Sequence, residues 1–232
     1  VTAQRIIDTL EANLQPYSKV NIMMRRDKKM DIQELFAHQD DALRWIQTEA
    51  RRNGLPSISL NAEEGRLLQV LIKSVNAQKA LELGALGGYS GTWIARALPA
   101  NGRLFTLEIS SRHAQVARAA YERAGVAERV TLVEGDANHT LRQMKQEAPF
   151  DFVFMDADPE SYPAYFEAIA PMLRVGGMLT AHNALEGTSS GGFDAGRSRG
   201  MAAFLTELAK DNTFTTVVMP YGSGILITVK NA

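Results

Sequence analysis

LELGALGGYSGTWIARALPANGRLFTLEIS, residues 81–110, reads as strand, glycine turn, helix and strand. The apolar run KALELG at 79–84 is too short for a helix and stops at a glycine, as a strand buried on both faces does. GYSGTWIARALP at 88–99 has helical spacing, and RLFTLEI at 103–109 is a second short apolar run. A helix between two such runs is what a parallel crossover requires. Outward from this unit the alternation continues. NAEEGRLLQVLIKSVNAQ at 61–78 and SRHAQVARAAYERAG at 111–125 are helical, followed by strand RVTLVEG at 129–135 and a helix near NHTLRQMKQ at 138–146. Then come strand DFVFMDA at 151–157, helix YPAYFEAIAPML at 162–173, strand GGMLTAHN at 176–183 and helix RGMAAFLTELAKD at 199–211. FTTVVMP at 214–220 and GILITVK at 224–230 are joined only by YGSG, too short a link for a crossover, so these two strands are antiparallel to each other.

The predicted fold is therefore α/β: a Rossmann-like, doubly wound sheet of seven strands, mostly parallel, with an antiparallel C-terminal hairpin strand and N-terminal helices. Ile6, Ile7, Leu10 and Leu14 predict an amphipathic helix over 2–14, and KVNIMMRRDKKMD at 19–31 reads either as a mobile arm near the active site or, in preference, as a solvated basic connector. DIQELFAHQDDALRWIQTEARRNG at 31–54 reads as helical sequence stopped by Gly54, with Pro56 beyond. The expected division is an N-terminal helical segment, 1–54, on the substrate side or at a dimer contact, and a ligand-binding domain, 55–232. A net charge of -1 supplies no field to collect polyanions, so nucleic acid is not an expected partner. The absence of cysteine excludes disulfides, thiolate metal sites and thiol nucleophiles. No membrane span or secretion signal is legible, so a cytoplasmic location is expected.

Ligands in such sheets sit at the carboxyl ends of the strands, which directs attention to the residues just after each one. Gly84, Gly87 and Gly88 let the backbone turn tightly against a ligand, and Ser90 opens a helix whose unpaired N–H groups suit a carboxylate. Glu82 precedes this turn. A pyrophosphate gains nothing from a carboxylate there, whereas S-adenosylmethionine (SAM) presents an ammonium and a sulfonium that do. The glycines also depart from the G-x-G-x-x-G spacing of dinucleotide sites. Glu108 ends the second strand where an acid accepts both ribose hydroxyls. Asp136 and Ala137, in EGDAN, are placed to meet adenine, although Asp136 serves equally as a helix cap.

Taken in order, the 81–110 run, ERVTLVEGDA, DFVFMDAD, VGGMLTAHN and GSGILITVK resemble the cation-dependent class I O-methyltransferases, the family of catechol and caffeoyl-CoA O-methyltransferases. The resemblance spans roughly residues 55–230. It implies transfer of the SAM methyl group to a hydroxyl, phenolic or catechol-like, of a small molecule, and a homodimer. Carried over residue by residue, it places Leu60, Glu82, Gly84, Ala85, Ser90, Glu108 and Ala137 at the cofactor. Asp156 becomes a metal ligand beside the acceptor oxygen, and Asp158 a second aspartate on the SAM side.

Two positions depart from the family pattern. DADP puts Pro159 where a lysine helps deprotonate the acceptor, and HN puts His182 where an aspartate precedes Asn183. Asp156, His182 and Asn183 make an oxygen, nitrogen, oxygen set that suits a softer divalent ion better than Mg²⁺ or Ca²⁺. Three roles stand open for His182: metal ligand, general base and strand-end cap. Retention of Asp156 and Asn183 favours the metal. The rival functions are a SAM-binding protein that has lost catalysis and, more distantly, a nicotinamide oxidoreductase. His38, His113 and His139 are expected at the surface or in packing, and Trp45 and Trp93 in the core. ALEGTSSGGFDAGRSRG at 184–200 reads as a flexible loop over the acceptor.

Overall fold

A computed structural model describes residues 32–187 and 195–232. The helix expected over 2–14 and the basic connector lie outside the described residues. The chain divides into a unit ending at His38 and a second unit, Gln39–Ala232. The described part of the first contains helix α1 (Ile32–Phe36). Helix α2 (Asp41–Arg52) opens the second. The single helical run expected over 31–54 is thus interrupted, because Asp40 is extended and its side chain accepts from the Leu43 N–H at 3.0 Å, an N-cap that starts a new helix. Gly54, at φ 63°, follows the end of α2 as expected.

The second unit continues with α3 (Ala62–Ser74), β1 (Lys79–Leu83), α4 (Tyr89–Ala97), β2 (Arg103–Glu108), α5 (Ser111–Arg123) and β3 (Val130–Glu134). Then follow α6 (Ala137–Met144), β4 (Phe150–Met155), α7 (Tyr162–Ile169), β5 (Leu173–Ala181), α8 (Ala195–Leu208), β6 (Phe214–Met219) and β7 (Ile225–Lys230). The sheet order is β3-β2-β1-β4-β5-β7-β6, parallel except for β7, which runs against both β5 and β6. The predicted seven strands and C-terminal reversal are all present. Helix α8 begins four residues before its expected start, and the loop expected over 184–200 lies partly outside the described residues.

Strand residues alternate between two covered faces. Leu81, Leu83, Leu107, Val153, Met155 and Leu179 pack into one core with Tyr162, Phe166 and Phe204 of α7 and α8. Glu82, Thr106 and Thr180 point the other way and are equally buried. Burial on both faces explains why these strands lack the alternation of a half-exposed sheet. At the amino ends, Asp151 ties three strands together: it accepts from the Gln78 and Lys79 N–H groups at 2.7 and 2.8 Å and from Arg174 Nε at 2.6 Å. The carboxyl ends are left for chemistry. The chain steps outward from β1 to β3 and returns to β4 on the other side of β1, so the crevice opens between the tips of β1 and β4.

Candidate active site

The strand tips are laced together by main-chain hydrogen bonds. Gly135 donates to Glu108, Gly84 to Leu107, Asp156 to Leu83 and His182 to Met155, at 2.9 to 3.0 Å. This row of tips forms the floor of a cavity of about 580 Å³. Leu60, Gly84, Ala85, Ser90, Glu108, Asp136 and Ala137 line one part of it, and Asp156, Asp158, His182 and Asn183 another. Eleven of the twelve positions singled out from the sequence thus share one wall, because each directly follows a strand or precedes a helix at the same sheet edge.

Glu108 is held by its neighbours: Leu86 N–H donates to Oε2 at 2.8 Å and Ser110 N–H to Oε1 at 2.9 Å. His113 Nδ1 lies 3.4 Å from Oε1. His113, expected at the surface or in packing, therefore belongs to the cavity wall. Asp136 caps α6, accepting from the Asn138 N–H at 2.8 Å, and it also lines the cavity. Trp93 is core, as expected.

Glu82 is the twelfth position. It is fully buried, outside the cavity lining and one layer behind Ser90. Thr106, its cross-strand neighbour, donates its hydroxyl to Oε2 at 2.6 Å, while among the described residues no donor reaches Oε1. Burial pushes the Glu82 pKa up. The Ser90 and Thr106 hydroxyls oppose this, and the charges of Asp156 and Glu108 add to it, leaving a value of about 7 against an ordinary 4.5. A raised folded-state value favours the fold below the unfolded pKa and loses that contribution as pH climbs through the folded one. Between pH 4.5 and about 7 this group should therefore remove about 3 kcal/mol of stability. Glu82→Gln cannot ionise and should flatten that part of the profile in urea denaturation from about pH 5 to about pH 8. An unchanged slope in the variant would rule the assignment out.

At the other end of the cavity His182 is 8% exposed and flanked by two acids. Its Nδ1 lies 3.3 Å from Asp156 Oδ1, and its Nε2 lies 3.4 Å from Glu64 Oε1 and 3.1 Å from Ser223 Oγ. Ser223 donates its hydroxyl to Asn183 Oδ1 at 2.9 Å, and Asn183 Nδ2 donates to Asp156 Oδ1 at 3.4 Å. Burial works against an imidazolium here, but the Asp156 and Glu64 carboxylates together outweigh it and raise the His182 pKa to about 10. Glu64 in turn is opposed by burial but held below the usual carboxylate range by His182 and the Asn61 N–H.

This arrangement does not fit the divalent ion expected at Asp156, His182 and Asn183. A ligating histidine needs one ring nitrogen as a lone pair turned to the ion, and a ligating asparagine turns its oxygen there. Here both ring nitrogens face acceptors on the protein, and the Asn183 oxygen is turned to Ser223. Among the described residues no group of three or more His, Cys, Asp or Glu side chains is placed to hold a metal.

Sequence reasoning missed Glu64, Ser223 and Arg197. Glu64 was legible as half of a capping box: its N–H donates to Asn61 Oδ1 and its Oε2 accepts from the Asn61 N–H, both at 2.8 Å. Nothing in the sequence says that its other oxygen meets His182, 118 positions away. Ser223 lies in YGSG, which reads as a turn and no more. Arg197 lines the cavity from the first turn of α8, 4.0 Å from Asp158. Pro159 is buried and opens a short 3-10 turn, so the position of the expected lysine itself carries no amine.

A parallel sheet with one reversed strand, a glycine turn after β1 and an acid ending β2 define the class I SAM-dependent methyltransferases. The comparisons agree. The O-methyltransferase family model matches residues 33–231. The chain is 40% identical over 156 residues to a catechol O-methyltransferase of Niastella koreensis, covering 66% of this chain and 71% of that one. It resembles the O-methyltransferase of Bacillus cereus solved with S-adenosylhomocysteine, at TM-score 0.81 and 31% identity, over 86% of this chain and 95% of that one. It also resembles the O-methyltransferase TomG of Streptomyces achromogenes solved with SAM, at TM-score 0.80 and 30% identity, over 86% and 94%. The chain belongs to the O-methyltransferase family and is related to the catechol and caffeoyl-CoA enzymes. It is a SAM-dependent enzyme that methylates the hydroxyl of a small molecule. Among the described residues no helix is long and apolar enough to cross a membrane.

Proposed function

We propose that the acceptor is a phenolic or catechol-like hydroxyl, bound beside Asp156 with the SAM methyl group directed at it. The observation that carries this reading is the single cavity joining the residues assigned to the cofactor with the Asp156, His182 and Asn183 edge. The Niastella relative's name supports the acceptor class. The acceptor oxygen forms the new O–CH₃ bond, the C–S electron pair stays on sulfur, and S-adenosylhomocysteine leaves as a neutral thioether. The hydroxyl proton must also leave. It becomes far more acidic as the oxygen takes on the methyl group, so a carboxylate can take it, and Asp156 is the one at this position. His182 is not that base, because its ring already holds its protons against carboxylates. Leu60, the turn residues Gly84, Ala85 and Ser90, and the acids Glu108, Asp136 and Asp158 hold the cofactor in line. Glu82 acts on it through Ser90.

A methyl-transfer screen over catechols, phenolic acids and aliphatic alcohols, read by S-adenosylhomocysteine release, tests the acceptor class. Turnover confined to aliphatic hydroxyls would overturn it. Glu108→Ala is expected to weaken SAM binding roughly tenfold to a hundredfold, the usual loss for a charge-assisted hydrogen bond. Calorimetry giving unchanged SAM affinity would remove Glu108 from the ribose.

A further inference from the structure

We infer that His182, clamped as an imidazolium between Asp156 and Glu64, takes the place of the divalent cation in this enzyme, and that Glu64 is the positioning residue that keeps it there. The inference rests on the O-methyl transfer proposed above.

The protonation state follows from donors and acceptors alone. Asp156 Oδ1 can only accept, so the His182 Nδ1 facing it at 3.3 Å carries a hydrogen. The one hydroxyl hydrogen of Ser223 is used on Asn183 Oδ1, so Ser223 accepts from His182 Nε2, which therefore carries the second. Glu64 Oε1, 3.4 Å from the same nitrogen, supplies the second negative charge. A ring that is a donor at both nitrogens is a cation, and it stands where the family resemblance puts a carboxylate ligand of the metal. The site is built for it. Gly222 leaves the space into which Glu64 reaches, since a Cβ there would lie 2.6 Å from Glu64 Oε1. Glu64 is 4% exposed, and its other oxygen is fixed by the Asn61 N–H at the start of α3. The same capping box thus orients the His182 cation and the segment that brings Leu60 to the cavity.

A divalent ion takes several oxygen ligands and would have room for two from one acceptor, whereas an imidazolium whose N–H groups already meet protein acceptors offers no chelate. A vicinal pair of hydroxyls is then not required, and a phenol with a single hydroxyl should be methylated within about tenfold of the matching diol.

The test is a Mn²⁺ titration of the full-length enzyme with S-adenosylhomocysteine, followed by electron paramagnetic resonance, and it needs no acceptor. The wild type should bind no stoichiometric Mn²⁺ at millimolar concentration. His182→Asp, which sets a second carboxylate beside Asp156 and Asn183, should gain affinity by at least about a hundredfold. One equivalent of Mn²⁺ on the wild type would overturn the proposal whether or not His182→Asp folds. Where an acceptor has been found, Glu64→Gln, which keeps the capping contact, should lower kcat at least about tenfold with SAM affinity within about threefold. Equal losses in both would reduce Glu64 to a helix cap. Activity abolished by chelators and confined to vicinal diols would likewise overturn the proposal. A failed acceptor screen counts only against the proposed acceptor class, since the metal titration stands without it.

Discussion

Asp156→Asn is expected to lower kcat by about a hundredfold to ten-thousandfold while changing SAM affinity by less than about tenfold. The residue follows β4 directly, and its N–H donates to Leu83 across the switch point of the sheet at 3.0 Å, a contact the variant keeps. Asparagine is nearly isosteric, so the cavity retains its shape. Two functions are lost. The amide cannot take the acceptor proton, and it removes one of the two charges on which the His182 imidazolium depends. The second effect compounds the first, because a histidine facing one acid instead of two is less firmly charged in a buried position. Steady-state kinetics with the best acceptor, paired with calorimetry for S-adenosylhomocysteine, would check this. A kcat within about threefold of wild type would sink the role given to Asp156.

Gly84→Ala should destabilise the protein by about 4 kcal/mol and abolish SAM binding. Gly84 has φ 94°, a conformation that L side chains rarely adopt. A Cβ there would also run into the carbonyl oxygen of Asp156, a main-chain atom with no freedom to move aside. Gly125, by contrast, has φ 68° but nothing within 4 Å of where a Cβ would lie. Gly125→Ala should therefore show the conformational penalty alone, about 1 to 2 kcal/mol. Chemical denaturation of both variants separates the two contributions. A loss at Gly84 no larger than at Gly125 would mean that the close approach of β1 and β4 is not why glycine is needed.

Strand and helix order, the reversed last strand and the stations around the cavity are legible in the sequence. Those features are local: short apolar runs ended by glycine, helical spacing between them, and a link of YGSG that leaves no room for a crossover. The positions after each strand could be named because any parallel sheet brings its carboxyl ends to one edge. The break between α1 and α2 was legible only to a reader who weighs Asp40 as a cap against a continuous helical pattern. What a side chain does at that edge was decided by tertiary structure. Glu82 and Glu108 both lie at or near strand ends, yet Glu82 faces the layer between sheet and helices and Glu108 faces the cavity. His182 shows the limit most clearly. Read beside Asp156 and Asn183 it is a metal ligand, because those are the donors that chain order makes visible. Glu64 comes from a helix start 118 residues earlier and Ser223 from a turn 41 residues later, and only the folded chain brings both to its Nε2. A donor or acceptor role depends on every group around the ring, and most of those groups are distant in sequence, so the chemistry of that histidine was settled in three dimensions.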